Sequence, residues 1–123
     1  VQIKTSNTIL YCRKWKETVS FYRDVLKLDL HFVNDWFVEF SLNSGARLSI
    51  ANEESASIKS CSGNGITICF QIDDIQIMHT CLMNLRVNPT QIKVIWGSKA
   101  FYVYDPEGNR IEFWSETLGN VDG

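Results

Sequence analysis

One hundred and twenty-three residues, 45% hydrophobic and 21% charged, are enough for one globular domain or two small modules sharing a core. That balance argues against a long disordered tail or a collagen-like repeat. Twelve Lys and Arg against 14 Asp and Glu leave a formal charge of −2. The basic excess of a nucleic-acid binder is missing, and the Arg13, Lys14, Lys16 cluster is too small to track phosphates. No run reaches the roughly 20 apolar residues of a membrane span, and no signal-like run opens the chain. The first residue is Val1 rather than methionine, so a short leader or tag is expected to be missing.

In chain order, residues 8–12 form a short apolar run of β-formers. Residues 14–26 place Trp15, Val19, Tyr22 and Leu26 at helical spacing. Residues 29–33, 36–42 and 47–51 read as strands, with turns at Asn34-Asp35 and Asn43-Ser44-Gly45. Residues 52–64 are small and polar and read as a linker.

The same pattern then begins again. Residues 66–72 are a strand, and Asp73-Asp74 offers an N-cap to a helix with Ile75, Met78, Cys81, Leu82 and Leu85 as its apolar stripe. Asn88-Pro89 ends the helix. Residues 90–96, 99–104 and 110–114 are strands, with Asp105-Pro106-Glu107-Gly108 as a turn.

The order is therefore βαβββ, linker, βαβββ, an internal duplication of a unit of about 50 residues. An offset of 60 sets Asn7 on Thr67, Leu10 on Phe70 and Lys14 on Asp74; one of 63 sets Gly45, Arg47, Leu48, Ser49 and Ile50 on Gly108, Arg110, Ile111, Glu112 and Phe113. The modules are expected at about 5–52 and 65–116, with residues 53–64 between them, in a single domain spanning 1–123.

Phe21-Tyr22-Arg23-Asp24-Val25-Leu26-Lys27-Leu28 resembles the F-Y-x-D-V-L-G-L signature of the vicinal oxygen chelate superfamily, which includes glyoxalases, bleomycin-resistance proteins, fosfomycin-resistance enzymes and extradiol dioxygenases. Residues 105–113 (Asp-Pro-Glu-Gly-Asn-Arg-Ile-Glu-Phe) resemble its D-P-x-G-N-x-x-E-F ending, and Trp96-Gly97 and residues 70–74 also fit. The likeness runs from Thr5 to Glu116. It implies an α+β fold of two tandem βαβββ modules whose mixed sheet curls into a cup around a ligand. Lys27 departs from the pattern, standing where the family ends its helix on glycine, so it needs another cap or a left-handed backbone.

Alternation along the strands sorts the residues into faces. Asn7, Ile9 and Tyr11 oppose Thr8, Leu10 and Cys12; Thr67, Cys69 and Gln71 oppose Ile68, Phe70 and Ile72; Arg110, Glu112 and Trp114 oppose Ile111 and Phe113. The apolar sets are expected on the helices. The mixed sets, with Phe37, Glu39, Arg47, Ser49, Tyr102 and Tyr104, are expected to line the cup. Trp36, Trp96 and Phe101 add further aromatics on or near the hairpins.

In the family's metalloenzymes a divalent metal is held from the first, fourth, fifth and eighth strands, typically by His or Gln, Glu, His and Glu. The resemblance carries these roles onto Asn7, Ser49, Thr67 and Glu112, and only Glu112 is a good ligand. His31 and His79 fall outside these positions; His79 reads as a helix-surface residue. No cofactor is expected, and a divalent metal is the less favoured alternative. Glu112 has two readings: a carboxylate that contacts a ligand or acts as a base, or one paired with Arg47 or Arg110. Glu39 is as readily solvent-facing as functional.

The four cysteines, Cys12, Cys61, Cys69 and Cys81, form no CxxC pair. Cys12, Cys69 and Cys81 lie in apolar runs and are expected to be reduced, buried thiols of a cytoplasmic protein. The resulting expectation is a metal-independent small-molecule binding protein similar to bleomycin-resistance proteins. Its site comprises Asn7, Tyr11, Phe37, Glu39, Arg47, Ser49, Thr67, Tyr102, Tyr104, Arg110, Glu112 and Trp114. The alternative is a glyoxalase- or dioxygenase-like enzyme using Glu112 as metal ligand or general base. The resemblance also implies a homodimer; nucleic acid and membrane are not expected as partners.

Overall fold

The computed structural model describes residues 1–117. It divides into two compact units, Val1–Ser62 and Gly63–Gly123, and the boundary falls inside the segment read as a linker. Residues 118–123, included in the expected domain span, lie outside the described residues.

The first unit runs β1 (Asn7–Cys12), α1 (Trp15–Ser20), a π-helical turn (Phe21–Val25), β2 (Asp29–Val33), β3 (Phe37–Ser41) and β4 (Arg47–Asn52). Its sheet has the order β1-β4-β3-β2, with β1 parallel to β4 and the other pairs antiparallel. Leu10, Val38, Phe40, Leu48 and Ile50 form the apolar side of the sheet, and Val19, Phe21 and Tyr22 are buried with them. The Trp15 indole N–H donates to the Ile50 carbonyl at 2.9 Å, tying α1 to β4.

The 14–26 segment was expected to be a plain helix. Instead it widens at Phe21, where the Leu26 N–H reaches back five residues to the Phe21 carbonyl at 3.0 Å. The wider turn lets two consecutive aromatics, Phe21 and Tyr22, both go inward, and Tyr22 lies 6.3 Å from the Phe40 ring. Lys27 follows with φ of 59°, the left-handed backbone that its glycine-like position demands. The linker carries a 3₁₀ turn, Glu53–Ser55, capped by the Asn52 side chain, which accepts from the Glu54 N–H at 3.1 Å.

The second unit repeats this plan with β5 (Thr67–Gln71), α2 (Ile75–Asn84), β6 (Lys93–Ile95), β7 (Ser98–Tyr104) and β8 (Arg110–Glu116) in the order β5-β8-β7-β6. Asp74 caps α2 by accepting from the Ile77 N–H at 3.0 Å. Phe70, Phe101 and Phe113 stack through the apolar side, with Phe101 and Phe113 5.5 Å apart. The strand expected at 90–96 shortens to three residues. Thr90 still bonds β7, through its N–H to the Tyr102 carbonyl and its hydroxyl oxygen to the Tyr102 N–H, but Asn88 at φ of 62° and Pro89 bend the chain just before it.

Two expectations about α2 are corrected. Only Ile75 and Leu82 of the proposed stripe are buried, while Cys81 and Leu85 share the exposed side with Ile77. The helix therefore carries two apolar stripes, and the 77-81-85 stripe faces away from the sheet. His79 is not a plain surface residue: its Nε2 lies 2.9 Å from the Thr90 carbonyl, and its ring meets Phe101 edge-on at 4.9 Å.

Each unit is thus a βαβββ module with its own four-stranded mixed sheet, and the fold class is α+β, as the resemblance implies. The backbone of Gly63, at φ of 79°, lies so close to the Gly108 carbonyl that a side chain there would collide with it.

Candidate functional sites on the mixed faces

Strand register decides which side chains share a face, because partners across a ladder point the same way. In the first unit Asn7 faces Arg47, which faces Ser41; Ile9 faces Ser49, which faces Glu39; Tyr11 faces Ala51, which faces Phe37. Alternation groups Asn7, Ile9, Tyr11, Phe37, Glu39, Arg47 and Ser49 in the same way; Ser41 and Ala51 join them in the structure. Ser49 is fully buried, and its hydroxyl donates to Asn7 Oδ1 at 2.7 Å. Arg47 donates to Ser41 Oγ at 3.1 Å and lies 3.6 Å from Glu39 Oε2. Glu39, a fifth exposed, is therefore half-buried and paired rather than solvent-facing. His31, at a bulge in β2, reaches the same Glu39 oxygen at 3.8 Å. Strand parity alone could not place His31, because a bulge shifts it.

In the second unit Thr67 faces Arg110, which faces Tyr104; Cys69 faces Glu112, which faces Tyr102; Gln71 faces Trp114, which faces Ala100. Arg110 donates through Nε to Thr67 Oγ1 at 3.0 Å, and its guanidinium lies 4.5 Å from the centre of the Tyr102 ring. Of the two readings of Glu112, the ion pair with an arginine is not formed among the described residues. Arg47 pairs with Glu39, Arg110 is held by Thr67 and Tyr102, and Glu112 faces Cys69 across the β5–β8 ladder.

Cys69 is exposed, not buried, because it sits on the mixed face of β5. Partial desolvation of its sulfur, then the neighbouring Glu112 carboxylate, push the thiol pKa up. Its place beside Glu112 was the chief omission of the sequence reading. The signal was present in the alternation, which already grouped Cys69 with Thr67 and Gln71.

The donor set that the resemblance assigns to a metal does not fit one. Ser49 gives its proton to Asn7 Oδ1, so the two groups satisfy each other. Thr67 Oγ1 accepts from a guanidinium, which places a fixed positive charge beside the position a cation would take. Glu112 is the one carboxylate among the four, and among the described residues no cluster of three or more His, Cys, Asp or Glu could hold a metal ion.

The two βαβββ modules define a protein of glyoxalase-like fold. The family model for the Glyoxalase/Bleomycin resistance protein/Dioxygenase superfamily matches residues 5–113, and the chain belongs to that superfamily. Among solved structures it is similar to a lactoylglutathione lyase from Agrobacterium tumefaciens, with 23% identity, a TM-score of 0.75, and 92% of this chain and 93% of that one covered. It also resembles a glyoxalase/bleomycin resistance protein/dioxygenase from Nocardioides, with 16% identity, a TM-score of 0.77 and coverage of 97% and 87%. A third is the oxidase ChaP-H2, with 16% identity, a TM-score of 0.74 and coverage of 94% and 95%. These likenesses establish the fold alone. No curated protein matches the sequence. No helix among the described residues is long and apolar enough to cross a membrane.

Proposed function

We propose that the protein binds a small organic molecule without a metal, on the polar and aromatic faces of its sheets. The observation that carries this reading is the commitment of the inherited ligand positions to one another and to arginine: Ser49 to Asn7, and Arg110 to Thr67. What those faces offer instead is recognition chemistry. The first unit presents Tyr11 and Phe37 beside the Glu39–Arg47 pair. The second presents Tyr102, Tyr104 and Trp114 beside Arg110 and Glu112. Aromatic rings and fixed charges of this kind orient a flat or partly aromatic ligand.

The test is a tryptophan-fluorescence titration with metal-free bleomycin and a panel of planar aromatic compounds, in the presence of EDTA. Saturable quenching that is indifferent to the chelator is expected. Binding that appears only when a divalent metal is restored would overturn the reading.

We also place the protein in the cytoplasm as a homodimer. The exposed thiols of Cys69 and Cys81 suit a reducing compartment. The apolar residues left open on β6 (Val94, Ile95), on α2 (Ile77) and at its C-cap (Leu85) suit a contact with a second copy. Light scattering that returns only monomer would contradict the dimer.

A further inference from the structure

Arg110 and Glu112 stand two residues apart on one face of β8, so their Cα atoms are about 6.8 Å apart. Opposite charges so placed ordinarily pair. Here Arg110 is held by Thr67 and the Tyr102 ring instead, and Glu112 faces the neutral Cys69 across the β5–β8 ladder. The two terminal nitrogens of Arg110 make no other hydrogen bond among the described residues, and the face is open, with Thr67 and Cys69 exposed and Tyr104 57% exposed. A bare anion at Arg110 would meet the Glu112 charge. A bare cation at Glu112 would meet the guanidinium. Only a ligand bearing both charges gains at both ends.

Resting on the binding reading above, we propose that this face of the second unit takes a zwitterion of the α-amino-acid class. Its carboxylate sits on the Arg110 guanidinium, its ammonium group on the Glu112 carboxylate, and its apolar side chain lies against Tyr104 or Trp114. Thr67 and Tyr102 fix the guanidinium before the ligand arrives, which lowers the ordering cost of binding.

Three probes of one shape separate the charges: L-phenylalanine, 3-phenylpropanoate, which lacks the amine, and 2-phenylethylamine, which lacks the carboxylate. Calorimetry on the full chain is expected to show phenylalanine binding about tenfold or more tighter than either partial analogue. Arg110→Gln is expected to abolish the preference for phenylalanine over 2-phenylethylamine. Glu112→Gln should abolish its preference over 3-phenylpropanoate while strengthening 3-phenylpropanoate itself, a gain that a merely structural role would not produce. Equal binding of phenylalanine and 3-phenylpropanoate by the unaltered protein would overturn the inference, as would failure of all three probes. If the aromatic panel still quenches tryptophan in that case, the zwitterion inference alone falls; if nothing in the panel binds, the broader reading falls with it.

Discussion

Desolvation first, and the Glu112 charge second, raise the thiol pKa of Cys69, and the direction of that shift predicts reactivity. A raised pKa means less thiolate at any given pH, so alkylation of Cys69 by iodoacetamide should rise at higher pH than for a free cysteine. Glu112→Gln removes the charge and should move the curve to lower pH, with desolvation still holding it above the free value; peptide mapping of the alkylation rate against pH checks both. Lys27 is a second single-residue case. With φ of 59° it carries the strain that glycine avoids, so Lys27→Gly should stabilise the fold by about 1 kcal/mol, read from the denaturation midpoint. Lys27 was legible, because the family's glycine marks a left-handed position. Cys69 was misread because its apolar neighbours in sequence suggested burial, whereas a strand sends neighbours to opposite faces.

At the scale of elements, the 105–109 turn explains why its motif is shared without being chemical. The Asp105 carboxylate, 4% exposed, accepts from the Glu107 N–H, the Asn109 N–H and the Asn109 side-chain amide, each at 2.9 Å. It thereby sets the start of β8, which carries Arg110 and Glu112. Asp105→Ala leaves three donors unsatisfied and should cost about 3 kcal/mol or more by urea denaturation. In α2 the buried stripe carries the stability. Leu82→Ala, at a fully buried position, should cost about 2–5 kcal/mol, while Leu85→Ala, on the exposed stripe, should cost little. Apolar spacing could not rank the two stripes, since both follow helical periodicity and only packing against the sheet distinguishes them. The π-helical turn was hidden for a related reason: the pattern records which residues go inward, not how far the backbone widens to let two in succession do so.

For the whole molecule, the duplication was legible because both copies kept their strand order, turn residues and alternation. The chemistry of the copies was less so, because it depends on which partner each side chain takes. Arg47 and Arg110 are equivalent under the repeat, and their neighbours at another equivalent pair of positions, Glu39 and Tyr102, make one arginine part of an ion pair and leave the other stacked on a ring. Ser49 and Glu112 are likewise equivalent, yet one is buried against Asn7 and the other keeps a charge at an open face. Side-chain identity alone suggests a weakened metal set; the structure adds that Asn7 accepts from Ser49 and Thr67 from Arg110. The proposed binding function therefore turns on metal independence. The most direct test is elemental mass spectrometry of the untagged protein after incubation with zinc, nickel, manganese and iron(II) and removal of unbound ion. Substoichiometric metal, unchanged by Glu112→Gln, is predicted. One tightly held metal per chain, lost in Glu112→Gln, would contradict the account and return the protein to the metal-dependent chemistry of its superfamily.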